Sequence, residues 1–253
     1  MRQAGLEDDL TPLADCSQCH YRDTLLAAGG CKPGDCCVVA ESGRQIDRFF
    51  RAHPEYAADY TQDSFWERRA IAARYLPAHH LRPLLTDPDE AVRRVLAYRV
   101  PQEWLLELRN DTDREVRITV TDRLPEHQVE LMAGDPDYLV RVYVARRLPE
   151  GRLFRLAADP DNEVRRTVAG RIPCVSLGLM AYDAEAGIRR IVAQRMDVDD
   201  LGMMSKDNDW MVRYDVALRA KPDLLQQMLD DSEEEVRLAA RQRWRTLNLA
   251  RDR

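Results

Sequence analysis

The sequence predicts an all-α, curved solenoid of stacked 24-residue units, and three observations predict it. Val92, Val116, Val140, Val164, Ile188, Val212 and Val236 follow one another at steps of twenty-four, and each is followed directly by Arg, from Arg93 to Arg237. Asp87 to Asp231 and Arg99 to Arg243 keep the same step, so seven copies hold the frame without an insertion. Within one copy Val140, Val144 and Leu148 fall at i, i+4 and i+8, an apolar stripe of helical period rather than the alternation of a strand. So small a unit cannot bury its stripe alone; neighbours must stack and share one continuous core.

Each copy reads as two helical pieces. In Asp135-Pro136-Asp137 the first Asp suits an N-cap, Pro fits the first helical position, and further acid favours the helix N-terminus. Pro149 stops the helix, which leaves roughly twelve helical residues. Glu150 to Ala158 places Leu153 and Leu156 three apart, enough for a 3₁₀ or very short α element. Met132, Met180, Met204 and Met228 take a Leu slot and are expected in the core. The Arg99 series lies about 20° from Val92 on a helical wheel, at the edge of the buried stripe. A charge there needs partners, and the recurrent ones are the Asp at the next helix start and carbonyls at helix ends.

The frame begins at Asp63 and divides the chain into residues 1–62 and a solenoid of eight units, 63–253. The first unit is degenerate, with Arg68 in the Val slot and Tyr75 in the Arg slot, as expected where a terminal unit meets a different neighbour. The frame loosens late: the helix-ending Pro becomes Asp197, then Lys221 with Pro222 one place along. Gly170 and Gly187 each weaken their helices by roughly 1 kcal/mol relative to Ala. Trp244 is placed to cover the last layer.

The chain has 253 residues, 45% of them hydrophobic, and a formal charge of −6, which argues against a dedicated nucleic-acid binder. No run of eighteen apolar residues occurs and the first residues lack the apolar core of a signal peptide, so no membrane association and a cytoplasmic location are expected.

Five of the six cysteines, Cys16, Cys19, Cys31, Cys36 and Cys37, lie in residues 1–41. Two residues between Cys16 and Cys19 let both sulfurs reach one metal centre, and the turn Pro33-Gly34-Asp35 lets the chain fold back before the Cys36-Cys37 pair. A metal or cluster site is implied. Spacing leaves structural zinc and an iron–sulfur cluster open, and disulfides suit a chain of this kind poorly. His20 beside Cys19 and the pair His79-His80 read as solvated, and Cys174 as a spare thiol. From Ser42 to Arg51 a short helix is expected, with Ile46, Phe49 and Phe50 docking the cysteine module onto the first repeat.

The repeated L-P-x-x-x-L-x-x-L-x-x-D-P-D-x-x-V-R-x-x-V-A-x-R pattern, preceded by a cysteine module and SGRQIDRFF, resembles the leucine-rich repeat variant proteins of nitrogen-fixing bacteria. The resemblance covers nearly the whole chain. It implies a right-handed superhelix of alternating α- and 3₁₀-helices and an N-terminal 4Fe-4S cluster in preference to zinc. It also implies the ligands Cys16, Cys19, Cys31 and Cys37, the last from the family's Gly-Asp-x-Cys-Val pattern, with Cys36 the neighbour that could compete.

No Gly-rich phosphate loop, G-x-S-x-G or H-E-x-x-H occurs, so no enzymatic activity is expected. The expected role is a scaffold that binds a protein partner along the solenoid while its cluster senses redox or iron state. An electron-transfer protein docked through its repeats, and an anion-binding surface made by the Arg ladders, are the competing expectations.

Overall fold

A computed structural model describes residues 12–251. The described residues are helical, and their one piece of β-pairing is an isolated bridge between Lys32 and Cys36. Two compact units divide between Leu124 and Pro125. In the first, α1 (Gly43–Ala52), α2 (Trp66–Tyr75), α3 (Glu90–Arg99), the short α4 (Gln102–Leu105) and α5 (Arg114–Arg123) follow the cysteine module. In the second, α6 (Tyr138–Arg147), α7 (Asn162–Arg171), α8 (Ala186–Arg195), α9 (Trp210–Ala217), α10 (Pro222–Met228) and α11 (Glu234–Arg251) complete the chain.

Successive long helices pack side by side, α1 on α2, α2 on α3 and α3 on α5 in the first unit, α6 through α9 and then α11 in the second. Val92, Leu96 and Val100 are fully buried in the first unit, and Val140, Val144 and Leu148 in the second. The short pieces close the core from the other side: Glu150–Leu156 and Cys174–Met180 are 3₁₀-helical and bury Leu153 and Leu156, then Leu177 and Met180. All four methionines of the Leu slot are buried.

The helices run ten residues rather than twelve, because both ends lie inside the expected limits. At the start, Asp137 and Asp161, not Asp135 and Asp159, are the N-caps; they accept from the backbone N–H of Leu139 and Glu163. Pro136 and Pro160 therefore stand outside the helix. At the end, the residue before Pro149 is driven out of the helical region, and Leu148 is extended at φ −57°, ψ 141°.

The first Asp of each Asp-Pro-Asp is freed from capping because it has another task. Arg141 gives Nε and Nη2 to the two carboxylate oxygens of Asp159, at 2.8 and 2.9 Å, and Nη1 to the carbonyl of Asp135, 2.8 Å away. Arg165, Arg189 and Arg213 repeat this with Asp183, Asp207 and Asp231, and Arg69 and Arg93 do so with Asp87 and Asp111. The same carboxylate also accepts the N–H two residues on, as Asp159 does from Asp161 at 2.9 Å. One guanidinium thus joins two successive loops.

The Arg99 series uses the other expected partners. Arg171 donates to the carbonyls of Ala145 and Leu148 at 2.6 and 3.1 Å, and Arg123 to those of Ala97 and Val100 at 2.6 and 2.9 Å. These are the last carbonyls of the preceding helix, which have no intrahelical donor, and a cation there also opposes the negative end of the dipole. The two sets of partners are divided between two ladders: carboxylates for the Arg after Val, carbonyls for the Arg six residues further on.

Departures from the frame have local causes. Tyr75, in the Arg slot, donates its hydroxyl to Asp47 at 2.9 Å, since the layer before α2 is α1 and not a repeat helix. Arg68, in the Val slot, pairs with Asp63 and reaches the carbonyl of Val39 at 3.4 Å. Late in the chain, Pro222 opens a true α-helix in place of a 3₁₀ piece, α9 is cut to eight residues, and α11 runs on for eighteen, with Trp244 half-buried on it.

Arg141→Met strands the 3%-exposed Asp159 carboxylate and is expected to cost about 3–5 kcal/mol, whereas Asp161→Ala loses one cap and is expected to cost about 1 kcal/mol. Urea unfolding compares them, and equal losses would contradict the division of labour between the two aspartates. A pH series gives a second check. Burial by itself raises the carboxyls of Asp87, Asp183 and Asp207, but the guanidinium and backbone hydrogen bonds outweigh it and hold them below the ordinary value. Their contribution is therefore complete above the unfolded value of about 3.9 and is lost as pH falls through the lower folded values. The melting temperature should drop steeply below about pH 4, and Asp183→Asn, with less carboxylate to lose, should show a shallower drop.

Candidate cluster site

The cysteine module is built from three local structures. Over Cys16–Cys19 a turn is closed by the N–H of Cys19 on the carbonyl of Cys16 at 3.3 Å, and Asp15 supports it by accepting from the Ser17 N–H at 2.8 Å. A five-residue π-helical turn, Arg22–Leu26, follows with Ala27 as its cap, and beyond it the chain turns at Gly29, whose φ of 73° suits a residue without Cβ. The chain then reaches Cys31 and doubles back. The N–H of Lys32 donates to the Cys36 carbonyl at 2.8 Å, that of Cys36 to the Lys32 carbonyl at 2.9 Å, and Gly34 turns the corner at φ 80°.

Side chains alternate along paired extended chain. Lys32 stands opposite Cys36 in one isolated bridge, and continued alternation from it would set residues 31 and 37 on the face opposite to residues 32 and 36. Cys37 is buried, its N–H donating to the Gln45 carbonyl at 3.2 Å, while the Cys36 sulfur lies 4.0 Å from the carbonyl of Gly30. Cys16, Cys19, Cys31 and Cys36 are half-buried, and all are free thiols.

Partial burial pushes up the thiol of Cys16, and the neighbouring Cys37 and Cys19 push the same way. Burial likewise raises Cys31, helped by Cys37, Cys19, Cys36 and Cys16. Cys16, Cys19, Cys31 and Cys37 thus stand close enough to repel one another as thiolates, and Cys36 joins the same group through Cys31 and Cys37. A positively charged iron–sulfur core relieves that repulsion and takes four thiolates, so this donor set fits such a group. Among the described residues, no three His, Cys, Asp or Glu side chains already stand in the arrangement of a single-ion site.

Two supports were not legible as site residues. Gln45, fully buried on α1, holds both ends of the module, since its carbonyl receives the Cys37 N–H and its Nε2 donates to the Pro12 carbonyl at 2.7 Å. His53 Nε2 lies 2.7 Å from the carbonyl of Gly30, an acceptor, so that nitrogen carries the proton and pins the strand entering Cys31. The one available signal for Gln45 was its place four residues before Phe49 on the buried stripe. Ile46, Phe49 and Phe50 are fully buried as expected; Phe49 meets Tyr21 at 5.4 Å between ring centroids, and Phe50 meets Tyr60 at 5.4 Å and Tyr75 at 6.2 Å. His20 is exposed against Tyr21, His79 and His80 are exposed, and Cys174 is exposed at the head of its 3₁₀ piece.

Comparisons with known proteins agree with this architecture. The family described as "LRV protein FeS4 cluster" matches residues 12–59, and "Leucine rich repeat variant" matches residues 66–89 and 138–161. An "Uncharacterized 27.7 kDa protein in nifB 3'region" of Rhodobacter capsulatus is 38% identical over 86 residues, a stretch that is 34% of this chain and spans only 35% of that protein. A solved structure, "A leucine-rich repeat variant with a novel repetitive protein structural motif", is 55% identical; the match covers 91% of this chain and 98% of that one, with a TM-score of 0.82. With a cluster-domain match over the cysteine module and that identity along nearly the full repeat array, the chain belongs to the leucine-rich repeat variant family of iron–sulfur repeat proteins.

Proposed function

We propose that Cys16, Cys19, Cys31 and Cys37 hold a 4Fe-4S cluster, that Cys36 does not, and that the protein is a non-enzymatic interaction scaffold whose cluster reports redox or iron state. What supports the ligand set is the pairing of Lys32 with Cys36: side chains alternate along paired chain, so Cys37 is expected on the side of Cys31 and Cys36 on the opposite side. When bound, the cluster supplies one-electron chemistry and a group that oxidants can dismantle. The chain's residues do the rest: Gln45 fixes the backbone of Cys37, His53 fixes the approach to Cys31, and the aromatic contacts of Phe49 and Phe50 join the module to α2.

The scaffold reading rests on how the repeats use their charge. Both Arg ladders are turned inward, onto Asp carboxylates and helix-end carbonyls, which favours a structural network over an anion-binding surface. The outward faces of the helices vary from repeat to repeat, as a docking surface requires. No helix among the described residues is long and apolar enough to cross a membrane. Half-buried Cys16, Cys19 and Cys31 leave the site within reach of solvent oxidants, which suits sensing.

Anaerobic purification should give a brown protein carrying iron and sulfide. Cys16→Ser and Cys37→Ser should abolish incorporation, while Cys36→Ser and Cys174→Ser should keep it. Stoichiometric zinc without iron, or iron retained in Cys37→Ser and lost in Cys36→Ser, overturns the assignment. On exposure to air the iron should be released; a reversible one-electron couple that survives repeated cycling without iron loss would replace sensing with electron transfer.

A further inference from the structure

The first unit carries a cavity of about 450 Å³ between α2 and α3. Its lining is Arg74, Ala91, Arg94, Val95, Tyr98 and Arg99. Ala91, Val95 and the Tyr98 ring make an apolar floor, to which the methylene stems of the three arginines add. Tyr98 is 69% exposed, the largest apolar side chain so open in this unit. Every charged residue of the lining is an arginine, in a chain whose net charge is −6.

These arginines are held in different ways. Arg99 is spent on carbonyls, those of Ala73 and Leu76 at 2.9 and 2.7 Å, so it shapes the wall. Arg94, 42% exposed, gives Nε and Nη2 to Asp113 at 2.8 and 2.7 Å, which fixes its plane while using two of the five donors of a guanidinium. Arg74, 55% exposed, has the loosest pairing, 3.8 Å to Asp47. Asp47 in turn pairs with Arg51, both on α1, the helix on which the cysteine module is anchored, so Arg74 shares this carboxylate with a closer partner.

From this we infer that the α2–α3 groove docks an acidic segment of a protein partner, one apolar side chain seated on Val95 and Tyr98 and flanking carboxylates on Arg74 and Arg94. An exposed aromatic with arginines around an apolar pit is the composition of interface hot spots; loosely held Arg74 can take a carboxylate in bidentate geometry, and Arg94 keeps donors beyond the two that Asp113 receives. A nucleic acid would also be drawn by the arginines, but it would not need the apolar floor beside them. The inference rests on the scaffold reading and names one docking face for it, in the same compact unit as the cysteine module.

The test uses the cluster-loaded full chain and a fluorescently labelled peptide of Glu and Asp residues with one central Phe, followed by anisotropy. Binding should weaken about tenfold or more when the Phe is replaced by Ser, and equally in Tyr98→Ser and in Arg74→Gln, both surface changes. Binding that ignores the Phe, preference for a single-stranded oligonucleotide, or no binding at all overturns the groove. A photo-crosslinking amino acid placed at position 98 or at exposed position 179, in living cells, separates this from the broader reading. Protein adducts at 179 alone overturn the groove and leave the scaffold standing; adducts at neither overturn both; adducts at 98 that the peptide competes away support the proposal.

Discussion

A guanidinium shared between two loops is the interaction on which the repeat architecture depends. Hydrophobic stripes make the helices attract, but an apolar contact is non-directional and leaves neighbouring units free to slide. Arg141 removes that freedom: its Nη1 is fixed to the loop that starts its own helix, and Nε and Nη2 to the carboxylate of the next. Since the Asp159 carboxylate also orders its own turn by accepting from Asp161, loop shape and inter-repeat spacing are set by the same two charges. Buried pairs of this kind recover their desolvation cost only with full hydrogen bonding and good geometry, which the five donors of Arg supply and Lys could not. The low Lys content of the chain, three residues, therefore has a structural ground.

The other ladder solves a problem created by the helix-ending prolines. Pro149 keeps Leu148 extended, so the helix closes without a left-handed cap and its last carbonyls need outside donors. Arg171 brings them from the following repeat. Each unit is thus completed by its neighbour in both directions, by a carboxylate on one side and a guanidinium on the other. A terminal unit has no such neighbour, and the substitutions there follow: Tyr75 meets Asp47 on α1, and Arg68 reaches back to Val39.

The cysteine module applies the same economy with fewer residues. A single two-bond hairpin pairs Lys32 with Cys36, and α1 then anchors the module through Gln45 and the Phe49–Tyr21 contact. Because that helix packs directly on α2, a change in the module is mechanically next to the first repeat helices. This proximity is what a cluster that reports to a docking surface would require.

Much of this was legible in the sequence because it is periodic. The 24-residue step, the helix stripe of Val140, Val144 and Leu148, the 3₁₀ piece after Pro149 and the docking role of Ile46, Phe49 and Phe50 all follow from spacing and propensity, which are local properties. The two Asp residues of one Asp-Pro-Asp motif could not be told apart in this way. Both are good caps, and only the arrival of Arg141 from the preceding repeat takes Asp159 out of the capping position and leaves it to Asp161. Likewise the wheel put the Arg99 series at the edge of the core, but which partner each Arg ladder uses depends on the distance between helices, a tertiary quantity. In the cysteine module, composition and spacing gave five candidate thiols; the pairing of Lys32 with Cys36, a contact between backbone groups that no side chain announces, came only from the tertiary structure.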